Sequence, residues 1–66
     1  MRYVVYTKIH KEDSSIEKWY YGVYSDSNRA NEVALELGAE YPVYHCVCKE
    51  DEVKKQGILN LPEYMK

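Results

Sequence analysis

An α+β fold is predicted for this chain: a three-stranded antiparallel sheet in the order 2-1-3, arranged β-β-α-β. One helix lies on one face, and a short C-terminal helical turn and tail follow. Three observations predict it. Seven of the eight tyrosines fall in three short runs with β-like patterning, Tyr3–Ile9, Trp19–Tyr24 and Tyr41–Cys48. Between the second and third runs, Ala30, Val33, Ala34 and Leu37 recur at helical spacing. At 66 residues the chain is one domain, 1–66, close to the smallest size at which one core is stable.

The first strand reads from Arg2 to Ile9, with Tyr3, Val5, Thr7 and Ile9 on one side and Arg2, Val4, Tyr6 and Lys8 on the other. His10–Ser15 is polar, and Asp13-Ser14-Ser15 supplies turn chemistry. Glu17–Tyr24 alternates again, placing Trp19, Tyr21 and Val23 opposite Lys18, Tyr20, Gly22 and Tyr24. These two strands read as an antiparallel hairpin. Ser25-Asp26-Ser27-Asn28 is a helix start, because such side chains accept hydrogen bonds from the free amides of a first turn. Arg29, Glu32 and Glu36 take the wet side, and Gly38 stops the helix. Tyr41-Pro42 forces a return to extended backbone, and Val43–Cys48 forms the third strand.

From Lys49 the charge order runs acidic then basic to Gly57, which matches a helix dipole and predicts a short helical turn. Ile58-Leu59-Asn60-Leu61-Pro62 is an apolar tail that should dock on something. A right-handed crossover through the helix places the third strand beside the first. Tyr3, Val5, Ile9, Trp19, Tyr21 and Val23 form the less charged face and are assigned to the helix. The facing of the third strand is open.

Composition bounds the function. Net charge is −2, with the first 24 residues slightly basic and the remainder acidic, so a strong polyanion binder is disfavoured. The N-terminus enters a strand without an apolar leader or membrane span, and a cytoplasmic location with no membrane partner is expected. Cys46 and Cys48 flank one residue, about 7 Å apart on a strand, and read as reduced packed thiols. Adding His45 and His10 makes the one set with metal-ligand chemistry. Its spacing is wrong for zinc, and His45 would point away from both thiols, so neither metal nor other cofactor is expected. The same geometry denies a Cys–His nucleophile pair. The chain reads as a non-enzyme.

What remains is a surface. Tyr6, Lys8, Lys18, Tyr20 and Tyr24 lie on the sheet face away from the helix, and with Ile58, Leu59 and Leu61 they form the predicted interaction surface. Either the Ile58–Leu61 tail or a second copy covers this face, or another protein binds it. The expected function is binding, by self-association into a homodimer or by contact with another protein, through that face or the tail. The alternative is a single-stranded nucleic-acid-binding module, in which the rings stack on bases and the cations hold phosphates.

The run Trp19-Tyr-Tyr-Gly-Val-Tyr-Ser-Asp-Ser-Asn-Arg-Ala-Asn-Glu-Val-Ala resembles the strand–GVYS–helix core of small bacterial and phage-encoded proteins of unknown function. Over residues 2–38 the likeness extends to the opening strand Tyr3-Val4-Val5-Tyr6 and the polar hairpin loop. Gly22, Ser25 and Ala30 match its pattern; the Cys-Val-Cys strand and the Leu59–Pro62 tail go beyond it. The resemblance implies the same fold and a mobile-element origin. It implies no chemistry.

Overall fold

A computed structural model describes all of residues 1–66. β1 (Tyr3–His10), β2 (Ile16–Tyr24), α1 (Ser27–Leu37) and β3 (Val43–Lys49) follow in that order, with 3-10 turns at Glu50–Glu52 and Glu63–Met65. The sheet order is β2-β1-β3 with both pairings antiparallel, as the sequence predicts.

The β1–β2 connection closes where the Ser14 N–H donates to the Lys11 carbonyl (3.1 Å) and Asp13 Oδ1 accepts from the Ser15 N–H (3.0 Å). Ser14 adopts a left-handed φ of 74° to complete that turn. α1 starts at Asp26, whose Oδ1 accepts the Arg29 N–H at 2.8 Å. It ends at Gly38, with φ 84°. Losing the cap leaves a first-turn amide without its partner. Asp26→Ala is therefore expected to cost about 1 kcal/mol, a fall in Tm of about 4–8 °C read from a thermal melt.

One irregularity redirects the faces. Val5 pairs with Gly22 while Tyr6 pairs with Tyr20, so Tyr21 is an extra residue in β2. Such a bulge reverses the side-chain alternation beyond it. Trp19 therefore shares the helix side with Thr7 as expected, but Val23 pairs with Val4 and turns to the opposite face, and Tyr24 pairs with Tyr3 and turns toward the helix. Tyr21 itself sits half exposed on the bulge. The predicted facings of Val23 and Tyr24 are thus exchanged. Strict alternation misses the bulge, whose sequence signal is Gly22 beside it.

The core lies in two layers, one on each side of the sheet. On the helix side, Val5, Ala30 and Val33 are buried, with Tyr3, Tyr24, Ala34 and Val47 packed against them. On the other side the C-terminal segment lies across the sheet. Val53, Ile58 and Met65 bury against Val4 and Tyr6, flanked by Tyr20, Val23, Cys46, Cys48 and Leu61. The tail also extends the sheet by one residue: the Leu59 N–H donates to the Lys18 carbonyl (2.8 Å), and its carbonyl accepts the Tyr20 N–H (2.9 Å). Leu37, the last residue of the predicted apolar stripe, stays partly exposed and lines a shallow groove with Gly38, Ala39 and Val43. No helix is long and apolar enough to cross a membrane.

Candidate functional site: a covered tyrosine face and an open groove

The predicted interaction surface is brought together only in part, and most of it is occupied by the chain itself. Tyr6, Lys8, Lys18 and Tyr20 share one face, in register as Tyr6 with Tyr20 and Lys8 with Lys18. Tyr24 lies on the other face. Tyr6 is buried beneath the tail, and Lys8, Lys18 and Tyr20 are half-buried. Ile58 is buried, Leu61 half-buried, and Leu59 exposed at the β2 edge.

Two cations of this face, Lys18 and Arg2, have internal partners. Lys18 Nζ donates to Gln56 Oε1 at 2.8 Å and stands 5.9 Å from the Tyr6 ring centroid. Arg2 Nε donates to Glu50 Oε1 at 2.9 Å, and its guanidinium lies 5.2 Å from the Tyr64 ring centroid. Burial pushes the Tyr6 hydroxyl up to about 12, with the Cys46 and Cys48 sulfurs adding to the shift. Burial likewise raises the Cys48 thiol and, more exposed, the Tyr20 hydroxyl. Beneath the tail, the Tyr6 hydroxyl and the Cys48 thiol thus favour their neutral forms.

Cys46 and Cys48 are free thiols turned to the tail side of β3, while His45 and Val47 turn to the helix side. His45 sits apart from the thiols and is occupied otherwise: its Nδ1–H donates to the Gly38 carbonyl at 2.7 Å. That contact ties the end of α1 to β3.

A second surface was not singled out by the sequence. Between α1 and β3 runs a groove of about 390 Å³, lined by Asn31, Ala34, Leu35, Gly38, Ala39, His45, Cys46 and Val47. Leu35 stands at its rim with 81% of its surface exposed. The signal was present in the chain. Leu35 lies off the stripe of Ala30, Val33, Ala34 and Leu37, and a leucine outside the buried stripe marks a second apolar face. Comparison of the chain with protein-family models, curated proteins and solved structures finds no match.

Proposed function

We propose that this chain is a small non-enzymatic interaction protein that self-associates, and that it does so through the α1–β3 groove rather than the tyrosine face. The observation that carries the reading is Leu35, which is 81% exposed on the rim of an apolar groove floored by Val47. Contiguous apolar surface of that kind marks protein contacts more often than solvated surface. The tyrosine face is a poorer candidate, because Val53, Ile58 and Met65 already fill it. The same cover weighs against single-stranded nucleic acid, since a buried Tyr6 ring has no free face on which a base could stack. Two unbridged thiols suit a reducing compartment such as the cytoplasm.

A concentration series by light scattering tests the reading. The apparent mass is expected to rise from 7.8 kDa toward twice that value as the protein approaches millimolar concentration. A constant monomer mass across the series overturns it.

A further inference from the structure

The outer edge of β3 is the open edge of this sheet. β1 is central, and β2 is met on its outer side by Leu59. The Glu50 N–H donates to the Arg2 carbonyl (3.0 Å), and the His10 N–H donates to the Pro42 carbonyl (2.8 Å). These two bonds set the alternation along β3. Tyr44, Cys46 and Cys48 turn their backbone groups toward β1, and Val43, His45, Val47 and Lys49 turn theirs outward. Glu40 takes both groups of Val43, at 2.8 and 2.9 Å. The amides of His45, Val47 and Lys49 and the carbonyls of His45 and Val47 are left as an unpaired row, while the Lys49 carbonyl caps the 3-10 turn at Glu50–Glu52. The usual guards of an edge strand sit only at its ends, as Pro42 and Lys49.

We propose that this row pairs with the same row of a second copy, antiparallel, with Val47 on the two-fold axis. This rests on the self-association reading and specifies its geometry. The register follows from the hydrogen bonds available. With Val47 opposite the partner's Val47, His45 falls opposite the partner's Lys49, and all three outward residues of each strand are used, for four bonds from the free groups. A shift by one pairing step toward Asp51 leaves two, and a shift the other way sets the partner's Lys49 against Val43, whose outer side Glu40 already holds.

The side chains agree with that register. Lys49 meets a histidine rather than a second lysine, and the groove rim on α1 presents uncharged Asn31 and Leu35 rather than Arg29 or Glu36. No like charges are brought face to face. Seven residues of strand with the adjoining helix flank make a face of roughly 23 by 15 Å. Two such faces hide roughly 700 Å² in total, the size of a weak, transient complex. The partnership is therefore expected in the upper micromolar range, not the nanomolar.

This register has a chemical signature. Cys46 lies directly opposite the partner's Cys48 in a non-hydrogen-bonded pair, where Cα atoms approach to about 4.5 Å, within disulfide range. Cys46 does not face the partner's Cys46, nor Cys48 the partner's Cys48. The test uses Cys46→Ser and Cys48→Ser proteins at millimolar concentration, pH 8, with a diazenedicarboxamide oxidant. The oxidant takes two electrons and two protons per disulfide and becomes the hydrazine.

Each variant alone is expected to stay monomeric on a non-reducing gel, whereas their equal mixture gives a covalent heterodimer. Efficient linking of either variant alone overturns the register. Lys49→Pro supplies a second arm. Lys49 has φ −70°, which proline adopts, so the fold is retained while the outward amide is lost. Its dimer is expected to weaken about tenfold or more in light scattering. Wild-type mass that never rises ends both readings. A dimer that ignores Lys49→Pro and does not cross-link in the mixture ends the edge pairing alone.

Discussion

Ile58→Asp is expected to leave the chain unfolded at 25 °C. Ile58 is 5% exposed and packs with Val4, Tyr6, Val53 and Met65, in the larger of the two core clusters. Only eight residues of the chain are buried, and a domain this small draws only about 3–5 kcal/mol from its core. A carboxylate in that layer would stand among Val4, Tyr6, Val53 and Met65, with the nearby Lys18 already held by Gln56, and its desolvation costs more than the whole margin. The graded version separates packing from charge. Ile58→Ala removes the side chain beyond Cβ and is expected to cost about 2–4 kcal/mol. Leu59→Ala, one residue along, should cost less than about 1 kcal/mol, because Leu59 is 44% exposed and holds the β2 edge through its backbone. Urea denaturation with a two-state fit reads all three. Equal costs at positions 58 and 59 would mean that the tail does not dock as described.

The docking of the tail explains which parts of the molecule were legible in the sequence. Strand and helix identities follow from local patterns. β-branched and aromatic runs, the Asp26 cap and the Gly38 stop each act within a few residues, and all appear as read. The sheet order follows from one chirality rule applied to a short chain. Side-chain facing in β2 was legible only up to the bulge. A single extra residue at Tyr21 reverses Val23 and Tyr24, and period-two patterning has no term for it. The apolar character of Ile58-Leu59-Asn60-Leu61 announced a docked tail and offered the tyrosine face as one seat, but did not choose between that seat and a partner, because a tail carries no periodicity to match against a face. Covering the tyrosine face then moved the exposed apolar surface to α1 and β3. That groove depends on where two distant elements come to lie, and only Leu35, out of step with its helix, hinted at it.

Alkali is expected to destabilise the protein through the layer that the tail covers. The Tyr6 hydroxyl is pushed up to about 12, first by burial and then by the neighbouring Cys46 and Cys48. An unfolded tyrosine loses its proton near 10. Below pH 10 both states hold the Tyr6 proton, and its contribution to stability is complete. Between about 10 and 12 the unfolded chain holds fewer protons than the native one, so stability falls as pH rises. A shift of this size corresponds to a loss on the order of 2 kcal/mol across that window. The raised Cys48 thiol acts with the same sign and begins lower, as its unfolded counterpart ionises in the ordinary thiol range. Urea midpoints at pH 8, 9.5, 10.5 and 11 should therefore fall progressively. Tyr6→Phe keeps the ring among Val53, Ile58 and Met65 but has no proton to lose. Its decline above pH 10 should be visibly shallower than that of the wild type. Parallel declines in the two proteins would place the alkaline sensitivity elsewhere. A shallower slope in the variant places the sensitivity at the Tyr6 hydroxyl beneath the tail.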